Sequence, residues 1–191
     1  YESGQNITTG IENTIVGTNA GDALTDADFN VAVGRSALTA DTLGSRSVAI
    51  GTAALQAQNF TTATDSNNTA VGFSTGKAVT TGINNTLIGS SAGDALTDAD
   101  FNVALGVSSL TSDTLGSRST AIGTNALFSQ NFTTATDTYN TAVGFEAGAN
   151  VTTGVQNTLI GSAAGDALTT GSFNTALGYG ALSADDLGSQ S

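Results

Sequence analysis

A five-residue pattern of polar and apolar positions recurs ten times along the chain. Its first residue is Asn or Ser, its second Thr or Val, its third Ala, Ile or Leu, its fourth Val, Ile or Leu, and its fifth Gly. Short runs rich in β-branched residues and bounded by Asn and Gly are typical of β-strands. The pattern therefore predicts ten short strands, which end at Gly17, Gly34, Gly51, Gly72, Gly89, Gly106, Gly123, Gly144, Gly161 and Gly178.

Subtraction of successive glycine numbers gives the intervals 17, 17, 21, 17, 17, 17, 21, 17 and 17. Three intervals of 17 and one of 21 add up to 72, and the tripeptide TTG recurs with that period at 8–10, 80–82 and 152–154. A short fixed period is the sequence pattern of an architecture built from stacked units. We expect a 17-residue coil as the unit, with a four-residue insertion in every fourth coil, which becomes a 21-residue coil.

This period disagrees with the other common repeat architectures. A coiled coil requires apolar residues in heptads, and collagen requires Gly at every third position. Gly, Asn and Thr interrupt every stretch that could otherwise form a helix. The sequence therefore predicts an all-β fold, a repetitive parallel β-solenoid or β-roll. Its ten coils, about 4.8 Å apart, would form a rod roughly 50 Å long.

Side chains alternate along a strand, so the second and fourth pattern positions, such as Val48 and Ile50, share one face and the third position shares the other. Apolar residues occupy both faces, and a monomeric solenoid would expose one of them to water. We expect the second and fourth positions to face the core. The third position, which is Ala in seven coils, would then lie against copies of the same chain. This predicts a homotrimer, intertwined or side by side; the alternative is a flat, Ala-rich face exposed to solvent.

Two recurring residue types have structural interpretations. Coil positions are counted from the first residue of the strand pattern. Gly at the fifth position permits a tight turn with φ > 0, and Gly at the fifteenth position of several coils, such as Gly44 and Gly82, indicates a second corner. Asn at the first position can form a ladder of hydrogen bonds along the rod, as stacked Asn side chains do in cross-β assemblies. We interpret this Asn column as structural rather than as a binding site.

Composition argues against most forms of catalysis. The chain contains no Cys, His, Met, Trp or Pro, so it lacks disulfides, thiolate nucleophiles, the usual general base and the ordinary zinc ligands. Sixteen acids and four bases give a net charge of −12, which disfavours nucleic acid and anionic membranes as partners. The chain has no continuous apolar run of the length that crosses a membrane, so membrane insertion is not expected. We predict that the chain is not an enzyme and has no catalytic, cofactor-binding or metal-binding residues.

Clustered acids in the segment GDALTDAD are the best candidate for a cation site. They are Asp22, Asp26 and Asp28, repeated as Asp94, Asp98 and Asp100. Hard cations favour clustered carboxylates, but this spacing matches neither an EF-hand nor a nonapeptide calcium roll. The third copy, at 165–172, lacks two of the three acids. We interpret these acids as solvated loop residues. A pair of glycosidase carboxylates would need a cleft, which a periodic rod does not offer.

Aromatic residues mark two further places in the repeat. Those in the 21-residue coils could contact carbohydrate or another surface, or could pack, either in the corner of the larger coil or on a neighbouring chain; we favour packing for Phe60, Phe132 and Tyr139. Those that immediately precede the strand pattern are predicted to make corner or inter-chain contacts, and they are Phe29, Phe101 and Phe173.

The strand pattern resembles the repeats of two known groups of proteins. SVAIG at 47–51 and STAIG at 119–123 are similar to the repeats in the head domains of trimeric autotransporter adhesins of the YadA type. The array NTAVGFEAGANVTTGVQNTLIGSAAGDALTTGSFNTALGYGAL at 140–182 resembles repeat arrays in tail fibres of marine and cyanobacterial phages. This resemblance covers nearly the whole chain and implies parallel β-rolls assembled as trimers. The 17-residue coil is longer than that of the adhesin heads, so handedness is carried over only loosely.

We expect residues 1–191 to form one β-solenoid segment cut from a longer fibre, since Tyr1 aligns with Phe73 inside a coil and Ser191 aligns with Ser47. The favoured function is a structural shaft segment of a fibrous virion appendage, a phage tail fibre, that supports host attachment from the virion or another extracellular surface. Its partners would be copies of itself in a homotrimer, other fibre or virion proteins and a host-surface receptor.

Two alternatives remain open. A bacterial trimeric adhesin or surface filament would have the same fold. An ice-binding solenoid is a minor alternative, because Thr recurs once per coil at the thirteenth coil position, at Thr25, Thr42, Thr80, Thr97, Thr114, Thr152 and Thr169.

Overall fold

A computed structural model describes residues 1–184 and 186–189 of the chain. The described residues contain no helix and form 14 short strands. In chain order these are β1 (Thr14–Val16), β2 (Val31–Val33), β3 (Gly44–Ser45), β4 (Val48–Ile50), β5 (Thr64–Asp65), β6 (Thr69–Val71), β7 (Thr86–Ile88), β8 (Val103–Leu105), β9 (Gly116–Ser117), β10 (Thr120–Ile122), β11 (Thr136–Asp137), β12 (Thr141–Val143), β13 (Thr158–Ile160) and β14 (Thr175–Leu177). Ser191, which the sequence places at the start of a further coil, lies outside the described residues.

Ten of these strands form one parallel sheet along the rod, in the order β1, β2, β4, β6, β7, β8, β10, β12, β13, β14. Each pairing joins equivalent coil positions. Ala32 lies beside Ala49 across a short coil, and Ala49 lies beside Ala70 across a long one. The predicted fold class is therefore confirmed: the chain is an all-β, parallel β-solenoid, and the insertion in the longer coils does not shift the register of the strands.

The four remaining strands pair at the second corner of the coil. β3 pairs with β5 and β9 pairs with β11, both in parallel. Their register pairs Gly44 with Thr64 and Gly116 with Thr136. The two residues of each pair are separated by one residue fewer than the length of a long coil. Most of each insertion therefore lies before the small sheet, and residues 61–63 and 133–135 form exposed bulges on the surface of the rod.

The side chains of the strands point in the opposite direction to the one expected. The third pattern position, expected to lie against other chains, is fully buried inside a single chain, as at Ala32 and Ala70. The second and fourth positions, expected to face the core, point outward, and Val16 and Ile50 expose 58% and 38% of their surface. The prediction that the Ala face forms the contact between chains is therefore wrong, while the homotrimer stays a prediction.

The narrow interior of the coil explains this direction. In coils with Leu at the ninth position, such as Leu38 and Leu55, the third position is Ala. The three coils with a large third residue, Ile15, Leu87 or Leu159, all have Gly at the ninth position. The Gly of the preceding coil can also make room, since a Cβ atom at Gly76 would lie 2.7 Å from the side chain of Leu87. A Cβ atom at Gly93 would lie 2.9 Å from the side chains of both Leu87 and Leu96. Because large and small residues must alternate in a close-packed core, a bulky strand residue cannot enter every coil.

The Asn column at the first position forms the predicted ladder of hydrogen bonds. The side-chain oxygen of Asn13 accepts the backbone N–H of Asn30 at 2.9 Å, and that of Asn30 accepts the backbone N–H of Ser47 at 2.8 Å. The Asn30 amide group also donates to the carbonyl of Gly44 at 2.9 Å, across its own coil. These bonds satisfy buried polar groups, and they join the coils both along the rod and across its interior.

Gly at the fifth position makes the turn after each strand, as predicted. Its φ lies between 122° and 142° in the ten copies, a left-handed region that Gly adopts without a steric penalty. At Gly106, an added Cβ would also lie 2.5 Å from the backbone of Gly123 in the next coil. The turn therefore requires Gly for its conformation and for the close stacking of successive coils.

Candidate interaction face

The described part of the rod presents surfaces rather than cavities. Within residues 1–184 and 186–189 there is no pocket that could enclose a small molecule, and no group of three or more acids that could hold a metal ion. None of the described residues belongs to a helix with the length and apolar character needed to cross a membrane. The outer face of the long sheet is therefore the best candidate for a functional surface.

The centre of this face is apolar over its whole length. The fourth pattern position forms a column of outward-pointing aliphatic side chains, namely Val16, Val33, Ile50, Val71, Ile88, Leu105, Ile122, Val143, Ile160 and Leu177. Beside it runs the column of Thr and Val at the second position. A single exposed apolar residue is ordinary, but a contiguous apolar patch marks an interaction surface.

Exposed residues border the face on both edges. The leading edge is the residue immediately before each strand pattern, where Phe101, Tyr139 and Phe173 are exposed. The trailing edge is the residue immediately after the pattern Gly, where Phe145 and Tyr179 are exposed. We call the two edges and the two columns between them the outer strip.

Acidic residues are concentrated away from the outer strip, and its two central columns carry no charge. Of the 16 acids, only Glu12 lies in the strip, on its leading edge. Three of the four bases, Arg35, Arg46 and Arg118, lie on its edges, and none lies in its two central columns. Depletion of charge is the compositional mark of an interface core. The two central columns are therefore suited to an apolar partner, while the acidic remainder of the surface is suited to water.

The strip is large enough to support a stable association. Ten strands about 4.8 Å apart span about 43 Å, and the stretch of chain from edge to edge spans at most about 20 Å. The resulting area is on the order of 800 Å², which is about the area that each partner contributes to a standard protein interface.

Arginine and aromatic side chains stack on the leading edge. The guanidinium carbon of Arg46 lies 4.9 Å from the ring centre of Phe29, and its Nε lies 3.0 Å from a carboxylate oxygen of Asp65. These distances allow a cation–π contact and an ion pair. The second copy repeats the arrangement at 4.7 Å and 3.1 Å with Arg118, Phe101 and Asp137. Phe29 and Phe101 therefore contact an Arg of the adjacent coil while staying exposed, and Phe173 is exposed on the same edge. Contact of these rings with another chain stays a prediction.

The aromatic residues of the insertions divide into two groups. Phe60 and Phe132 are buried and fill the corner of the enlarged coil, which confirms the packing interpretation for these two residues. Tyr139 is 53% exposed, and its hydroxyl donates to Asp137 at 3.3 Å. Tyr139 also lies 5.9 Å from Arg118. Tyr139 therefore does not pack inside its own coil and belongs to the leading edge of the outer strip, where packing on a neighbouring chain stays a prediction.

A buried polar cluster, which sequence analysis missed, holds each insertion in place. One carboxylate oxygen of Asp41 accepts the backbone N–H groups of Gly44 and Phe60, each at 3.0 Å. The other oxygen accepts the side-chain amide of Gln58 at 2.6 Å, and Gln58 also donates to the hydroxyl of Ser47 at 2.9 Å. The second copy contains the equivalent bonds among Asp113, Gly116, Phe132, Gln130 and Ser119.

The acids of GDALTDAD bind neighbouring coils through hydrogen bonds. Asp28 accepts the backbone N–H of Ile11 at 2.8 Å in the preceding coil. Asp22 and Asp26 accept the hydroxyls of Thr39 and Thr9, and the second copy repeats the pattern with Asp94–Thr111, Asp98–Thr81 and Asp100–Ile83. Each carboxylate therefore has its own partner in an adjacent coil. The interpretation as solvated loop acids was incomplete, because these acids join coils.

The Thr column at the thirteenth coil position also joins coils. The hydroxyl of Thr25 donates to the carbonyl of Thr42 at 3.1 Å, and that of Thr97 donates to the carbonyl of Thr114 at 3.0 Å. Since these protons are used within the solenoid, the column does not present a free array of hydroxyl donors. The observation that suggested ice binding therefore no longer supports it.

No protein-family model, curated protein or solved structure matches the chain. The resemblance to adhesin heads and phage fibres stays a prediction from the repeat motifs.

Proposed function

We propose that the chain is a structural shaft segment of a fibrous virion appendage of the phage tail-fibre type. The observation that carries this proposal is that the same contacts repeat from coil to coil. Strand pairings, Asn ladder bonds and acid–Thr bonds each join a coil to the adjacent one. A structure of this kind determines a length and a direction, and every added coil extends the rod by about 4.8 Å.

The continuity of the hydrogen bonding supports a role as a stiff spacer. The ten-stranded sheet runs through both 21-residue coils without a break in strand order. In a repeat protein each unit contacts only its neighbours, so stiffness depends on the quality of every junction. Here the insertions, which are the only irregular parts of the repeat pattern, are fixed by the buried clusters around Asp41 and Asp113. Such a rod would hold a receptor-binding tip at a constant distance from the particle.

The proposed shaft contains three parallel copies of the chain, packed side by side through their outer strips. The strip has an aliphatic column along its whole length and no charge in its two central columns, and it is of the size that a stable interface requires. Burial of aliphatic side chains would stabilise the assembly by roughly 25 cal/mol per Å² of apolar surface removed from water. The acidic residues outside the strip would remain on the surface of the assembled rod.

Immunogold electron microscopy tests the functional part of the proposal. Antibodies raised against the 191-residue chain are applied to intact particles and to bacterial cells from the same culture. We expect gold along fibres that project from virus particles, and loss of this label when excess chain is added to the antibody. Label on filaments of the bacterial surface, with none on particles, would contradict the virion proposal and support the adhesin alternative.

A further inference from the structure

Each strand of the long sheet, together with the edge residue on either side of it, forms one row of the outer strip. The residue types at the two edges vary together from row to row. Each strand row begins with one leading-edge residue and ends with one trailing-edge residue, six positions later in the sequence. The row with Tyr139 ends in Phe145, and the row with Phe173 ends in Tyr179. In both of these rows, the two edge residues are large, aromatic and exposed.

Other rows show the same correspondence. Phe101 shares its row with Val107, and both residues are exposed. Phe29 shares its row with Arg35, whose guanidinium is a suitable neighbour for an aromatic ring. Four rows therefore carry an aromatic residue on the leading edge, and all four carry a large residue on the trailing edge.

Rows without an aromatic leading edge have a small polar trailing edge in all but one case. Asn84 is matched by Ser90, Gln156 by Ser162, Arg118 by Thr124, Arg46 by Thr52 and Glu12 by Thr18. The exception is the row of Asn67, which ends in Phe73. The equivalent row 72 residues further along the chain has Tyr139 and Phe145, so both of its edges are aromatic.

Contact within one chain does not explain this correspondence. An extended stretch of chain, hydrogen-bonded to the adjacent coils, separates the two edges of a row by at least about 13 Å. The side chains at the two edges therefore belong to opposite borders of the sheet. A surface that brings the two borders together must belong to more than one copy of the chain.

We propose that copies of the chain associate in parallel and without axial stagger, so that the leading edge of one copy packs against the trailing edge of the same row in the next copy. This inference rests on the side-by-side assembly proposed above and specifies its direction and register. Rotation about an axis parallel to the rod brings opposite borders of identical rows together, as a closed cyclic assembly requires. Aromatic leading edges then meet large residues, and polar leading edges other than Asn67 meet Ser or Thr.

Other arrangements lose this match of polarity. An antiparallel pair of strips brings leading edge against leading edge and reverses the order of the rows. A parallel assembly staggered by one coil places Phe173 beside Ser162 and Gln156 beside Phe145. A stagger by one whole 72-residue period, which is four coils, would preserve the match between the two edges. It would, however, leave four rows of each outer strip uncovered.

Cysteine cross-linking tests the proposed register, because the chain has no natural Cys. The test variant carries Tyr139→Cys and Phe145→Cys, two exposed positions in one row. The two thiols of one chain are too far apart for a disulfide, which requires Cα atoms within about 7 Å. In a closed three-chain assembly, mild oxidation should convert most of the protein to a covalent trimer on denaturing gels.

Three controls identify the contact. Tyr139→Cys alone and Phe145→Cys alone should give no cross-link. A chain with Tyr139→Cys and Val107→Cys, two rows apart and thus displaced by about 10 Å, should also remain uncross-linked. The pair Phe173→Cys and Tyr179→Cys repeats the test in a separate row and should again give a covalent trimer.

The outcomes separate this inference from the proposal on which it rests. Covalent dimers from Tyr139→Cys alone, or efficient cross-linking of the displaced pair, would overturn the parallel, unstaggered register. A native mass of three chains without any same-row cross-link would overturn the register and leave the side-by-side assembly standing. A native mass of one chain for the unmodified protein would overturn both. A native mass of two chains with same-row cross-links would support the pairing of edges and replace threefold with twofold symmetry.

Discussion

At the scale of the residue, Asp41 shows how the irregular coils are kept in place. Its side chain is fully buried and accepts bonds from two backbone N–H groups and one amide. A carboxylate is the side chain that accepts at both oxygens without presenting a donor. Asp113 occupies the same place in the second insertion. These two acids therefore have a different role from the exposed acids that give the chain its negative charge.

Replacement of Asp41 by Asn should destabilise the first insertion. The substitution keeps the shape of the side chain but places an NH2 group against an N–H donor, whichever way the amide is turned. A buried donor left without a partner costs about 1–3 kcal/mol. We expect Asp41→Asn to lower the free energy of unfolding by about that amount in urea titrations followed by circular dichroism.

Asp65→Asn is the matched control, since Asp65 is exposed and forms a surface ion pair with Arg46. Surface ion pairs contribute little to stability, so this change should leave the urea midpoint nearly unaltered. Equal effects of the two substitutions would show that the buried cluster does not hold the insertion.

The sequence contained a signal for this cluster that we did not interpret. Ser replaces Asn at the first pattern position only at Ser47 and Ser119, which begin the two 21-residue coils. There the Asn ladder gives way to Ser47, whose hydroxyl contacts that of Ser66 at 2.6 Å and accepts a bond from Gln58. The burial of Asp41 could not be predicted from residue type, because acids are almost never fully buried without partners that only the fold supplies.

At the scale of the element, each strand and the turn after it act as one unit that must stack on the next. The spacing of the strand pattern was enough to predict the ten strands of the long sheet, their parallel pairing and the need for Gly in the turn. The direction of the side chains was not predictable from the strand alone, because both faces are apolar. It depends on the space left inside the coil and its neighbours: Leu38 fills the interior that Ala32 leaves open, whereas Gly76 and Gly93 together leave room for Leu87.

Substitution of the turn Gly should reveal how strongly successive coils press on one another. Gly106 and Gly178 have similar left-handed φ values, 140° and 122°. An added Cβ at Gly106 would lie 2.5 Å from Gly123, whereas one at Gly178 would have no atom within 4 Å. Both Ala variants carry the conformational penalty, but only Gly106→Ala also crowds the next coil.

We therefore expect Gly106→Ala to reduce the free energy of unfolding by about 1–3 kcal/mol more than Gly178→Ala does, as overpacked sites do. Thermal unfolding of both variants, measured beside the natural chain, gives this difference. Equal losses would mean that conformation alone, and not the stacking distance, makes Gly necessary in the turn.

At the scale of the whole molecule, the outer strip is the surface through which we propose that copies of the chain associate. The sequence indicated that two apolar faces exist and that one of them faces another chain. The structure exchanges the two faces: Ala70 and Ala142 belong to the interior, and Val71 and Val143 belong to the outer strip. Substitutions at adjacent residues of the same strand can therefore separate an effect on folding from an effect on assembly.

A chain with Val71→Asp and Val143→Asp should remain folded and lose its association with other copies. The new carboxylates lie on the surface of the single solenoid, so its circular dichroism spectrum should remain that of the folded chain. Its urea midpoint should fall only by the stability that association adds to the natural chain. In the assembly the carboxylates would be buried without partners, which is strongly unfavourable. The mass measured by native mass spectrometry should therefore change from three chains for the natural protein to one for the variant.

The matched chain with Ala70→Asp and Ala142→Asp places the same charges inside the coil and should fail to fold at all. A folded, fully trimeric Val71→Asp and Val143→Asp chain would exclude the outer strip as the contact, because two charges on each of three neighbouring surfaces could not be accommodated in its apolar centre.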